Sequence, residues 1–415
     1  MLILFFLLLI FVVIIYSNLE TREKKLLIIV LLVVLFWNLF WLLLVQTELA
    51  NKGVYTYGSD AEYYYTQIIN AIHSARPFYT AIHSRLAPLY VFFGVLVLKT
   101  SPNLSSIWIK IANIVLIELC FIIIYFWLRN YVYRKTIVLD LVLIFGLNGI
   151  ITWTVLRELK DTLFVFFVLL NLYMLYYLLK RGKSLVAVIF TGIMSLLMYH
   201  LRMFAAAIPL GLLLAYILIY RKSIKKDLFL WFGAFLLLIV ILERDRIHWF
   251  YTGLIYYAGR FREPLSILTG NYFAQIVLSP FRFIIGPGPI RALAGSDLFV
   301  LTTNMGNVLI FLGALLWWVF LPILLMAFIF DFKFILENIY FFASPIFIVL
   351  MYSFMYLGTG DTRLRATVYL LFLPGLIKYL DYIKLRKSNS KILSEYVLSS
   401  FIVWSLGLFF SVITV

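Results

Sequence analysis

Long apolar blocks separated by short basic clusters constrain this chain more than any other feature. Each block is near the ~20 residues that a helix needs to cross a hydrocarbon core of about 30 Å. Apolar residues make up 64% of the 415 residues and charged residues 13%, against about 45–50% and about 25% in an ordinary globular domain. A water-soluble fold of this size would lack the polar residues to cover its surface. The expected fold class is an all-α polytopic integral membrane protein, with 1–415 as a single membrane domain. Spanning helices are expected at about 1–17, 26–46, 107–128, 136–155, 162–179, 184–200, 203–220, 228–242, 304–328, 339–357, 366–380 and 393–413.

Charge sets the expected orientation. The net charge is +16, from 35 Lys+Arg against 19 Asp+Glu. In a soluble chain such an excess points to nucleic acid; here basic loops on the cytoplasmic side account for much of it, and no nucleic-acid partner is expected. The clusters Arg22/Lys24/Lys25, Arg129/Arg134/Lys135, Lys180/Arg181/Lys183, Arg221/Lys222/Lys225/Lys226 and Lys384/Arg386/Lys387/Lys391 fall on one side of the bilayer. That holds only if Leu86–Leu98 does not span, and an apolar run of 10–14 residues reads as re-entrant or interfacial. The regions 47–106 and 243–303 then lie outside, as the active-site face, with both termini outside. Met1–Ser17 has no basic leader and no small-residue cleavage site, so it reads as a retained helix in a multi-pass protein of the cell (plasma) membrane. The single cysteine, Cys120, and the histidines His73, His83, His200 and His248 show no redox or metal-ligand spacing.

The outer side carries mostly arginine, against the orientation rule: Arg76, Arg85, Arg157, Arg202, Arg244, Arg246, Arg260, Arg262, Arg282, Arg291, Arg363 and Arg365. Guanidinium forks bind phosphate bidentately, whereas lysine acts as a point charge. Arginines at the mouth of a helix bundle suit a lipid-linked phosphate or diphosphate; they also suit pairing with outer acids and headgroups.

Four constellations stand out. Apolar residues at 61, 64, 65, 68, 69 and 72 have helical spacing, so the segment reads as an amphipathic helix flat on the outer surface. Ser59-x-x-Glu62 fits a capping box at its start, which gives Glu62 a structural reading and leaves Asp60 as the catalytic candidate. Arg157, Glu158 and Asp161 share a helix face before the 162–179 helix. They read either as an ion-paired helix start or as groups that orient an acceptor hydroxyl or hold a divalent cation, Mg2+ or Mn2+. Arg202 sits in a tight hairpin after Tyr199-His200-Leu201. Gly358-Thr359-Gly360-Asp361-Thr362-Arg363-Leu364-Arg365 opens a helix whose N-terminus favours an anion.

Taken together, these motifs resemble the polyprenyl-phosphate-dependent glycosyltransferases of the GT-C superfamily, on the protein mannosyltransferase and aminoarabinose transferase side. The resemblance rests on Asp60-Ala61-Glu62-Tyr63-Tyr64-Tyr65, Arg85-Leu86-Ala87-Pro88-Leu89-Tyr90, Arg157-Glu158-Leu159-Lys160-Asp161, His200-Leu201-Arg202, and Arg363-Leu364-Arg365 leading to Pro374. It implies transfer of a sugar from a polyprenyl-phosphate donor to a glycan, lipid or protein acceptor, with inversion. Asp60 would be the general base. Arg85, Arg202, Arg363 and Arg365 would bind phosphate. Glu158, Asp161 and Glu62 would position the acceptor or a cation. A weaker likeness to exopolysaccharide and O-antigen polymerases implies related chemistry on diphosphate-linked oligosaccharides. The competing class is a transporter or lipid flippase, for which Glu118, inside an apolar helix, is the expected midplane group.

Overall fold

In a computed structural model of the chain, the described residues are 19–219 (except 55 and 57), 272–286, 304–356 and 362–413, with a few isolated positions besides. The expected helices at 1–17 and 228–242, most of the 243–303 region, and the Gly358–Asp361 turn lie outside the described residues.

Among the described residues every regular element is helical. In chain order the helices are α1 Thr21–Asn51, α2 Gly58–His73, α3 Pro77–Ile82, α4 Pro88–Lys99, α5 Ile107–Leu128, α6 Lys135–Gly146, α7 Gly149–Val155, α8 Asp161–Lys180, α9 Ser184–Tyr199, α10 Ala207–Ile219, α11 Tyr272–Ile285, α12 Asn304–Ile329, α13 Phe332–Glu337, α14 Ile339–Tyr356, α15 Thr362–Arg386 and α16 Asn389–Ile413. Among these, α1, α5, α8, α12, α15 and α16 are long and apolar enough to cross a membrane; the bent pair α6 and α7 brings the number to seven. The chain is thus an all-α protein with several helices of membrane-spanning length and composition, and twelve spans are not shown. Helix α4 has 12 residues, about 18 Å at 1.5 Å per residue, too short to cross.

The expected 136–155 helix is two helices bent by 62°. The cause is local and tertiary. Asn148 caps α7, its side chain accepting from the N–H of Ile150 at 3.0 Å and of Ile151 at 3.2 Å. The same side chain donates to Gly313 O on α12 at 3.3 Å. A Cβ on Gly149 would sit 1.9 Å from Leu309 O, and one on Gly313 2.2 Å from Ile150 N. Two glycines therefore let α7 lie backbone-to-backbone against α12. This crossing redirects the chain, so that the residues after Val155 turn back into the bundle end.

Ion pairs define two ends. At one, which carries most of the described lysines, Glu23 at the start of α1 meets Lys135 at 2.5 Å and Arg129 at 3.7 Å. Asp381 accepts from the N–H of Tyr133 at 2.8 Å, and Lys378 donates to Tyr131 O at 2.5 Å. Lys387 lies 2.5 Å from both Asp331 and Glu395, joining the ends of α12, α15 and α16. The expected clusters around 22–25, 129–135, 180 and 384–391 share this lysine end. The other end gathers the arginine motifs.

Helix α2 is amphipathic as its spacing predicts. Ala61, Tyr64, Ile68 and Ala71 are buried. Their burial is against protein, however. A Cβ on Gly94 of α4 would lie 2.2 Å from Ile68 Cδ1, and the Tyr64 and Tyr90 rings meet edge-on at 5.4 Å. Part of the apolar face packs on α4, while Tyr65, Ile69 and Ile72 stay partly exposed.

Candidate functional site

The arginine end brings together four segments that are far apart in sequence. Asp60, in the first turn of α2, accepts from Arg363 Nη2 at the start of α15 at 2.5 Å. The pair joins positions 303 residues apart. Asp60 is 53% exposed and Arg363 only 18%, so the arginine fixes a carboxylate that still faces outward. Asp161, at the start of α8, forms a buried ion pair with Arg202. The Arg202 guanidinium lies between two rings, 5.5 Å from Phe164 and 5.4 Å from Tyr352, so its direction is fixed by packing as well as by charge.

Behind them sits a deeper pair. Lys110 of α5 lies 2.9 Å from Glu158, and the two side chains are 1% and 0% exposed. Asn113 donates to Arg157 O at 3.0 Å, tying the 157–161 loop to the same helix. The Arg157 guanidinium lies 5.9 Å from the Trp153 ring. A Cβ on Gly58 would be 3.6 Å from Arg157 Nη2, which places the start of α2 over this loop. Glu158 and Asp161, expected to orient an acceptor or hold a cation, are each committed to a basic side chain. Among the described residues no group of three His, Cys, Asp or Glu side chains converges as a metal site.

Near the Asp60–Arg363 and Asp161–Arg202 pairs stands Lys160, partly buried, its ammonium 5.4 Å from the Tyr64 ring. Burial and the neighbouring Arg202 hold this ammonium down to about 7, with Arg363 adding to the effect and Asp161 and Asp60 opposing it. Burial pushes the Tyr64 phenol well above its ordinary range, although Arg202 and Arg363 pull the other way.

Three expected site residues lie apart from this cluster. Arg365 is buried and donates from Nε to Phe283 O at 3.3 Å, with its guanidinium 5.7 Å from the Phe283 ring. It belongs to a set that caps the end of α11. Trp317 donates to Ile284 O at 2.8 Å, Trp318 to Ile285 O at 2.7 Å and Tyr369 to Gly286 O at 3.3 Å. The last carbonyls of a helix have no partner of their own, and away from water each would cost several kcal/mol. Arg365 thus has a fold-building use that Arg363, two residues earlier, does not share. Arg85 is exposed and makes no ion pair among the described residues; its neighbour Ala87 has φ +46 as the residue before α4. Glu62 is exposed as well. Helix α2 starts at Gly58, φ +74.

Sequence reasoning missed Lys160, Lys110, Asn113 and Tyr64 as site residues. A signal existed for Lys110: a charge inside an apolar helix marks a site or a buried partner. Lys160 stands inside the Arg157-Glu158-Leu159-Lys160-Asp161 motif, between its two acids.

Comparison of the chain with protein-family models, with curated proteins and with solved structures finds no match. The functional reading therefore rests on the geometry and on the resemblance of the motifs.

Proposed function

We propose that this protein is a membrane glycosyltransferase that uses a sugar carried on a polyprenyl phosphate or diphosphate, working at the arginine end. One observation carries the reading. Five basic side chains, Lys110, Arg157, Lys160, Arg202 and Arg363, converge with three carboxylates, Asp60, Glu158 and Asp161, of which only Asp60 is open to solvent. With Lys160 protonated, five positive against three negative leaves an excess of two, which favours an anionic ligand beside one accessible base.

In this mechanism the donor's phosphate approaches Arg363, Arg202 and Lys160. Asp60, oriented by Arg363, takes the proton of the acceptor hydroxyl. The hydroxyl oxygen forms a bond to the anomeric carbon as the bond from that carbon to the phosphate oxygen breaks. The electron pair leaves with the phosphate, where the fixed guanidiniums stabilise the growing charge. Attack opposite the leaving group inverts the anomeric centre. Glu158 and Asp161 act by holding Lys110 and Arg202 in place. The arginine end would face the outside of the plasma membrane, since the lysine-rich end fits the cytoplasmic side.

The test is release of labelled sugar from a panel of polyprenyl-phosphate and polyprenyl-diphosphate donors by purified protein. Wild type should release label from at least one donor, and Asp60→Asn should lower the rate by about 10²–10⁴-fold, the contribution of a general base. Full activity of Asp60→Asn would sink the assignment. The donor that works separates single-sugar transfer from polymerisation.

A transporter or flippase is the second reading. It is favoured by the 62° break between α6 and α7 and by Glu118, whose two buried carboxyl oxygens have no hydrogen-bond partner among the described residues. Broken helices and intramembrane carboxyls mark transport paths. No release from any donor, together with vesicle transport lost in Glu118→Gln, would favour it.

A further inference from the structure

We propose that Lys160 is a direct ligand of the donor's phosphate and the group that makes donor binding weaken above neutral pH. This rests on the reading of the arginine end given above. Every other cation in the cluster has a structural commitment. Arg202 holds Asp161 between two aromatic rings. Arg363 holds Asp60. Lys110 is sealed against Glu158, and Arg157 lies over Trp153 beside the start of α2. Lys160 has only the face of the Tyr64 ring, at 5.4 Å, and no carboxylate within ion-pair distance among the described residues. A cation–ring contact returns far less than a desolvated ammonium loses, so the group gains most from an arriving anion. Its flexible stem and three donors suit a phosphate whose position varies during transfer.

The charged and titratable groups facing Lys160 are Asp60 and Tyr64 from α2, Asp161 from α8, Arg202 from the hairpin and Arg363 from α15. Two cations and two carboxylates nearly cancel, and burial decides the balance. The free ammonium loses its proton near neutrality, whereas a bound phosphate favours the charged form. Phosphate binding then takes up a proton above pH 7. His200, two residues before Arg202, is the control.

The probe is farnesyl methyl phosphate, a singly charged phosphodiester that carries no sugar and does not titrate between pH 6 and 9. Its affinity for the full-length protein in detergent is measured at pH 6, 7, 8 and 9. Wild type should lose at least about tenfold in affinity between pH 7 and 9, the linkage expected when a required proton is absent from the free site. Lys160→Arg should bind equally at both pH values, Lys160→Met should bind weakly at both, and His200→Gln should keep the wild-type slope. A flat wild-type profile, or a slope that survives in Lys160→Arg, overturns the proposal and leaves the proposed function standing. No binding at any pH overturns both. If Lys160→Arg does not fold, competitive acylation of wild type across pH 5–10 reads Lys160 directly. Half-reaction near pH 7 that moves up by about one unit or more with the probe present is expected; no movement contradicts the proposal.

Discussion

The two ends of the bundle use the same charged side chains for different purposes. At the lysine end, carboxylates staple helix termini. Asp381 caps the chain at Tyr133 and Arg134, and Lys387, just past the end of α15, bridges Asp331 after α12 and Glu395 in α16. The Glu23–Lys135 pair there leaves the lysine 43% exposed. At the arginine end, Glu158 and Asp161 are buried outright, and basic groups outnumber acids around one exposed aspartate. The Lys387 bridge is nearly as buried, its side chains 8–11% exposed, but there the cation is held by two carboxylates, whereas an exposed pair such as Glu23–Lys135 contributes little. Burying charge is costly unless it is paired. A bundle end that keeps buried pairs and still carries an uncommitted cation is built for something besides holding helices together.

That contrast can be broken by mutation. The largest effect should come from the deep pair. Lys110→Met or Glu158→Gln alone should destabilise by about 3–5 kcal/mol, the cost of leaving a buried partner uncompensated, while the double variant should recover much of the loss. Thermal unfolding in detergent measures both, and additive losses would show that the pair is not coupled. Next comes Gly313→Val, which must push α7 off α12 at a 2.2 Å approach. It should destabilise by about 1–3 kcal/mol or more, as overpacking does, and should lower donor binding by displacing the 157–161 loop. At the lysine end, Lys135→Met should cost at most about 1 kcal/mol and leave donor binding unchanged; a large loss of binding there would erase the distinction between the ends.

The last expected effect is a pH dependence of stability. Lys160 is depressed to about 7 in the folded chain, against about 10.4 for an unfolded lysine. Between those values the unfolded chain binds more protons, so this group makes stability rise with pH over pH 7–10. Below pH 7 the folded chain must bury a charged ammonium. The melting temperature of Lys160→Met relative to wild type should therefore fall as pH rises from 7 to 10. A constant difference would contradict the burial assigned to Lys160.

Helix positions were largely legible because the apolar blocks are long: α5 and the expected 107–128 helix coincide, and α8, α12 and α14 differ by a residue or so at their ends. The break at 147–148 was not recognised, although Asn148-Gly149 is a turn signal, because the apolar run around it continues in composition. Its cause, the close approach to Gly313, lies 164 residues away in sequence and leaves no local trace. The candidate site was legible as a set of motifs. What sequence did not yield was pairing: that Arg363 meets Asp60, that Arg202 takes Asp161, and that Arg365 turns to the end of α11. Those assignments depend on which helices neighbour one another, and an Arg-x-Arg motif reads the same whichever arginine faces the site.

The central claim is that the arginine end receives a lipid-linked phosphate. The most direct test is photo-crosslinking of a benzophenone-bearing polyprenyl phosphate to the full-length protein, with adducts mapped by mass spectrometry. Adducts on Gly58–His73, on residues 157–161 and on 199–202, reduced by Arg202→Met and Arg363→Met, are the expected result. Adducts concentrated at the lysine end, or unaffected by either substitution, would contradict the account.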